Sequence, residues 1–124
     1  MRAISEDFIQ ANLQRAMRWH HGNLRNWSAA EWGNAIAGEV GEFCNVAKKI
    51  LRHDKKMQQL AVTRDAAIEM RDDREFLHLK AASELADIIT YCVVTACAMG
   101  IDIDEAVRVK FNEISEREGF PERV

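Results

Sequence analysis

Four carboxylates fall into two matching pairs, Glu39-x-x-Glu42 and Glu84-x-x-Asp87. A helix advances about 100° per residue, so each pair can be placed against the apolar stripe of its own helix. With Trp32 at zero, Ile36, Val40, Phe43, Ala47 and Ile50 fall between roughly 0° and 80°, Glu39 at about −20° and Glu42 at about −80°. With Glu84 at zero, Leu77, Ile88 and Ala81 fall at roughly 20° to 60° and Asp87 at about −60°. Each helix therefore sets one acid inside its stripe and a second on the margin. A carboxylate taken out of water is costly unless something cationic neutralises it. Four that face one another would suit a hard divalent ion.

The ligand set narrows the ion. Carboxylate oxygens alone suit Mg²⁺, or Mn²⁺. A di-iron bundle would need Glu-x-x-His on two helices, and here the third residues after Glu39 and Glu84 are Glu42 and Asp87. His20, His21, His53 and His78 have no zinc-ligand spacing and read as surface or loop residues. The competing account is internal salt bridging. Lys80 lies one turn before Glu84, in the weaker lysine-first order. One lysine does not neutralise four acids, whose mutual repulsion would raise some of their pKa values. Mg²⁺ held by carboxylates keeps water and takes substrate phosphates as further ligands, which directs attention to nucleotides.

Phosphate contacts call for reachable cations and hydroxyls. Tyr91 lies one turn after Asp87, Lys49 two turns beyond Glu42, and Lys110 on the edge of the stripe Ile103, Val107, Phe111 and Ile114. Asn112 points away from that stripe. Trp19, Trp27 and Trp32 could stack a base or simply fill core. Gly38 and Gly41 lie inside a helix, where each costs about 1 kcal/mol relative to alanine. With Asn34 and Asn45 they form a small, polar stripe. Such a stripe suits a tight helix crossing within the chain, a ligand backbone, or a second copy completing the site.

The elements that must position these groups are helical. The first helix starts at Ser5 as N-cap and runs to about His21 before Gly22. After a loop to Trp27, Ser28 and Glu31 form a capping box that opens a second helix, expected to end near Arg52. His53 to Asp73 is polar and charged, reading as a flap or an inserted helix. A third helix is expected from about Asp73 to Gly100, with the stripe Leu77, Ala81, Leu85, Ile88, Cys92, Thr95 and Met99. A fourth opens at Asp102, paired in a capping box with Glu105, and closes near Gly119. No alternating strand pattern is present, so the class is all-α, a four-helix bundle in one domain over residues 1–124, with an extra polar segment between the second and third helices.

Composition sets outer bounds. The 124 residues are 48% hydrophobic and 30% charged, enough to bury a core without staples. The net charge of −3 argues against a nucleic-acid partner. Three cysteines, Cys44, Cys92 and Cys97, have no CxxC spacing and read as reduced thiols of a cytoplasmic protein. The first residues have no long apolar run, so they form no signal peptide. The most apolar run, Ala86 to Met99, carries Asp87 and is short for a bilayer, so no membrane partner is expected.

Taken in order, Trp32-x-x-Ala35-x-x-Gly38-Glu39-x-Gly41-Glu42-x-x-Asn45-x-x-Lys48-Lys49, Glu84-Leu85-Ala86-Asp87-Ile88-Ile89-x-Tyr91, Gly100-Ile101-Asp102 and Lys110-Phe111-Asn112 resemble the MazG-like nucleotide pyrophosphohydrolases of the all-α NTP pyrophosphatase group. The resemblance spans residues 28–121. It implies that Glu39, Glu42, Glu84 and Asp87 bind Mg²⁺, with Mn²⁺ as a substitute, and that water attacks a nucleoside triphosphate between its α- and β-phosphates. The products would be a nucleoside monophosphate and pyrophosphate. It also implies phosphate contacts from Tyr91, Lys110 and Asn112, and a homodimer or homotetramer with sites at subunit interfaces. The interval between Glu42 and Glu84 is longer than in compact members, by the His53–Asp73 segment. Glu39 and Glu42 are the candidates for general base. The rivals are a non-catalytic nucleotide- or metal-binding module and a purely structural helical interaction protein. The related phosphoribosyl-ATP pyrophosphohydrolases fit the Trp32 and Lys110-Phe111-Asn112 pattern less well.

Overall fold

A computed structural model describes residues 2–59 and 63–124, and every regular element among them is helical. The order is α1 (Glu6–Trp19), a 3₁₀ turn (Leu24–Asn26), α2 (Ala29–Gln59), α3 (Arg64–Met99) and α4 (Ile103–Glu118).

The helix ends follow the capping residues. Ser5 Oγ accepts from Phe8 N at 3.2 Å and opens α1. Ser28 and Glu31 satisfy one another before α2: the Ser28 N–H donates to Glu31 Oε2 at 2.6 Å and the Glu31 N–H to Ser28 Oγ at 3.2 Å. Asp102 Oδ1 accepts from Glu105 N at 3.1 Å and opens α4. Gly100 and Gly119 take positive φ values of 69° and 73°, conformations that a side chain would strain. Each lets the following N–H reach back to a carbonyl of the last turn, Ile101 to Ala96 and Phe120 to Ser115, both at 2.8 Å.

The segment between the second and third helices is organised differently from the flap or inserted helix expected. His53 to Gln59 continues α2, and Arg64 to Asp73 is the first part of α3, opened by Thr63 Oγ1 accepting from Ala66 N at 3.2 Å. The sequence has weak helical character at Met57 to Leu60 and at Ala66 to Met70; the second stretch is helical in α3, and the first is helical through Gln59, its last residue lying outside the described residues. Polar contacts help to join these extensions. His53 Nε2–H donates to the Met70 carbonyl at 2.7 Å, and Arg74 Nε lies 3.2 Å from Asp54 Oδ1. Met70 is buried between the extensions, with Ala66 and Ala67 half-buried one turn earlier, so a short apolar stripe accompanies the polar contacts.

Contacts group the chain into two compact units, Met1–Gly33 with Thr90–Val124, and Asn34–Ile89. In the first, Ala16, Leu24, Trp32 and Val94 form the core, with Leu13, Met17, Trp27 and Tyr91 packed against it. The rings of His20, Trp27 and Trp32 lie mutually 4.7 to 4.9 Å apart, centre to centre. Buried Asp104 accepts from Ile4 N at 2.8 Å, and this hydrogen bond, with further help from the Ala3 N–H, Arg2 and Arg108, holds its carboxyl below the usual range against the cost of burial.

In the second unit α2 and α3 run antiparallel: His53 meets Met70 at one level and Glu39 meets Glu84 at another. Val46 and Met70 are its buried apolar residues, flanked by half-buried Phe43, Ile50, Leu77, Ala81 and Ile88. Val40 and Leu85, expected in the stripes, are exposed, at 41% and 46%. Two helices alone cover only one side of each other, so neighbours of the seam are left outside. One 18-residue stretch of α3 is long and apolar enough, by length and composition alone, to cross a membrane.

Candidate metal centre

The antiparallel register sets the middle of α2 against the middle of α3, where the two acidic pairs lie. Glu39, Glu84 and Asp87 each bring a carboxylate oxygen within 4.8 Å of the other two. Glu39 and Glu84 are half-buried, while Asp87 is exposed. The helical offset read from the sequence is thus the offset that turns one acid of each pair into the seam.

Glu42, the fourth expected ligand, is exposed and is not part of this three-residue cluster. Its charge still reaches Glu39. Burial pushes the Glu39 carboxyl above its ordinary value of 4.5, and Asp87, Glu84 and Glu42 push it further in the same direction. No cation figures among these influences. Lys80 Nζ, 3.8 Å from Glu84 Oε1, is the one basic group paired with the cluster among the described residues.

Beside the acids lies a cavity of about 350 Å³. Glu42, Asn45, Lys49 and Arg52 recur along one stripe of α2, with Lys48 at its edge, and Lys80 and Glu84 face them from α3. Lys49, expected from its spacing to meet phosphate, lines this cavity. Lys48, Arg52 and Lys80 were not read as lining residues, although the i, i+3, i+7 and i+10 spacing from Glu42 through Arg52 carries the signal.

The remaining expected substrate contacts belong to the other unit, and each has a partner there. Tyr91 packs against the core. Trp32 is 2% exposed and donates from Nε1 to the Leu24 carbonyl at 3.3 Å. Lys110 Nζ is 2.9 Å from Glu113 Oε1. Asn112 pairs with the backbone of Val124 through both ends of its amide, at 3.0 Å each.

The three clustered acids fit a hard divalent ion. They offer only carboxylate oxygens, they converge from two helices, and the repulsion at Glu39 is uncompensated. The arrangement could bind such an ion, or hold a proton at Glu39 in its place. Among the described residues nothing lies within 4 Å of where a Cβ would stand on Gly38 or Gly41, so no tight crossing there explains them. No protein-family model, curated protein or solved structure matches this chain.

Proposed function

We propose that this protein is a Mg²⁺-dependent nucleoside triphosphate pyrophosphohydrolase, cleaving between the α- and β-phosphates to release a nucleoside monophosphate and pyrophosphate. The observation that carries this reading is the convergence of Glu39, Glu84 and Asp87. The ordered motifs that resemble the MazG-like group support it further, as does a cationic cavity next to an anionic cluster. Substrates of this kind include non-standard or surplus deoxynucleoside triphosphates.

In this reading Glu39, Glu84 and Asp87 hold Mg²⁺, or Mn²⁺, with Glu42 as a fourth ligand from the exposed margin. The ion, when bound, supplies neutralisation of the triphosphate and acidification of water. Glu39 or Glu42 takes the proton of the attacking water. Oxygen then bonds to the α-phosphorus as the bond to the bridging oxygen breaks, and pyrophosphate leaves. Lys49 meets phosphate at the edge of the acids. Tyr91, Lys110 and Asn112 are assigned to phosphate by the resemblance alone. Trp32, already enclosed in core, supports the start of α2.

We read the protein as a cytoplasmic homo-oligomer, a dimer or a tetramer. Free Cys44, Cys92 and Cys97 accord with a reducing compartment. Open space over Gly38 and Gly41, and exposed Val40, Leu51, Leu85 and Ile89, accord with coverage by a second copy. One contact favours a second reading. The Lys80–Glu84 pair is what a structural helical module would use to retain its acids.

The test is a panel of canonical and modified ribo- and deoxynucleoside triphosphates with Mg²⁺, scored for monophosphate and pyrophosphate. Stoichiometric release from at least one member is expected. Binding without products would favour the non-catalytic module, and no binding the structural one.

A further inference from the structure

We propose that the cavity lined by Lys48, Lys49, Arg52 and Lys80 is a metal-independent site for the pyrophosphate group, which holds the distal phosphates of the substrate and retains the leaving group after cleavage. The inference rests on the phosphate-substrate reading above, and concerns a part of the groove that the acids do not occupy.

The basis is a local concentration of cations on α2, set against the paired cations of α4. Along α4, Arg108 pairs with Glu105, Lys110 with Glu113 and Arg117 with Glu118. Along the second half of α2 the opposite holds. Lys48, Lys49, Arg52, Lys55 and Lys56 are crowded into nine residues with Asp54 as the only acid among them. Asp54 is engaged by Arg74. Among the described residues, none of those five cations has an acidic partner within 4.0 Å. Lys48 with Arg52, and Arg52 with Lys56, are like charges one turn apart, which repel along a helix. The chain as a whole is acidic, at −3, so this basic stretch runs against its bulk charge.

The cavity gives the unpaired cations a focus. Three of them line it from α2, and Lys80 closes it from α3 with its ammonium already 3.8 Å from Glu84. Asn45 adds a neutral donor. Lysine supplies compact charge, and Arg52 a planar fork that matches two phosphate oxygens. Glu42 and Glu84 form the wall toward the acids, so an anion here needs cations on the other walls. A triphosphate laid across the groove would place its reacting end at the acids and its last two phosphates among the cations. Nucleoside monophosphates, lacking those two groups, would be released. Lys55 and Lys56, a further turn along, extend the positive field outward and speed capture.

The experiment is calorimetric titration of the full chain with inorganic pyrophosphate in excess EDTA, at low and at physiological salt. Wild type is expected to bind, more weakly as salt rises. Lys48→Gln combined with Arg52→Gln is expected to lose about tenfold in affinity, since two charge-assisted contacts go. Glu39→Gln is expected to bind at least as tightly as wild type, because it removes a negative neighbour. Absence of metal-free binding in wild type, or equal affinity in the double variant with its helicity intact, overturns the proposal. Turnover is measured separately. Metal-free pyrophosphate binding without turnover of any nucleotide would defeat the enzymatic reading and leave the anion site standing. Turnover without such binding would do the reverse.

Discussion

The ammonium of Lys80 stands 3.8 Å from Oε1 of Glu84, the lysine side chain 54% exposed and the glutamate 12%. A solvated cation thus serves a largely enclosed carboxylate, and its charge is partly spent on water. Glu39, on the facing helix, is left with acidic neighbours alone. Because Lys80 is more than half exposed, its pair with Glu84 is worth no more than about 1 kcal/mol. Lys80→Met should therefore lower the thermal midpoint in EDTA by only a few degrees, about 3–5 °C. Saturating Mg²⁺ should restore most of the loss by supplying the missing charge. If Mg²⁺ leaves the Lys80→Met midpoint unchanged, the cluster is salt-bridged structure and not a metal site.

Glu39 makes the same point through pH. Its folded carboxyl is raised above 4.5, first by burial and then by Asp87, Glu84 and Glu42. The folded state therefore binds a proton that the unfolded chain has already released, so stability falls as pH rises through that window. In EDTA the thermal midpoint should climb as neutral solution is acidified toward 4.5, until other carboxylates begin to titrate. Glu39→Gln should be more stable than wild type at pH 7 without metal, and should flatten the profile. Added Mg²⁺ should stabilise wild type more at pH 7 than near pH 5, where protons compete for Glu39. A wild-type midpoint indifferent to pH across this window would contradict the burial of an uncompensated acid.

Activity should separate holding the ion from moving the proton. Glu39→Gln and Asp87→Asn each remove a charged oxygen from the cluster, and each should cut Mg²⁺-dependent pyrophosphate release by about a hundredfold or more with helicity unchanged. Glu42 is exposed and outside the three-residue cluster. If it is the base, Glu42→Gln should lower kcat with little change in KM or in the Mg²⁺ dependence. If it is the fourth ligand, the Mg²⁺ concentration for half-activity should rise instead. Unaltered turnover in Glu39→Gln and Asp87→Asn would remove the acids from the chemistry.

The acidic cluster was readable because two physical rules left marks in the chain. Helical periodicity placed Glu39 and Glu84 inside apolar stripes, and the structure brings them together with Asp87. Reciprocal capping put the start of α2 at Ser28 and Glu31. The same periodicity misassigned Val40 and Leu85, both exposed, and overlooked Val46, which is buried. A wheel ranks positions by angle, whereas burial depends on how many neighbours cover that angle. The extension of α2 and α3 through His53 and Arg74 left only a weak apolar signature, Ala66 to Met70, because hydrogen bonds and charge supply much of what joins it. The cavity cations were visible one by one, but their convergence depends on the pairing of two helices.

Gly38 and Gly41 offer a test of assembly. Each costs about 1 kcal/mol in a helix relative to alanine, and among the described residues nothing from beyond its own turn of helix lies within 4 Å of where a Cβ would stand on either. Light scattering at micromolar concentration should give a mass of at least two chains. Gly38→Glu with Gly41→Glu should yield a monomer of undiminished helicity, since the new side chains enter open space and glutamate favours helix over glycine. A wild type that is monomeric at these concentrations would leave the two glycines without a role in association.

Trp32 can be asked whether it serves the core or the substrate. At 2% exposure, enclosed by Ala16, Leu24 and Val94 and by the rings of His20 and Trp27, it presents no free face. Trp32→Ala should cost about 3–5 kcal/mol, enough to unfold much of a marginal protein at physiological temperature. Trp32→Phe keeps a ring while losing the hydrogen bond from Nε1 to the Leu24 carbonyl, and should cost roughly 1–3 kcal/mol. For a residue that only packs, the Phe variant should lower the thermal midpoint without moving KM. A base stacked on Trp32 during turnover predicts a raised KM in addition to the lowered midpoint. Measuring both in one variant decides between them, because only the second moves KM.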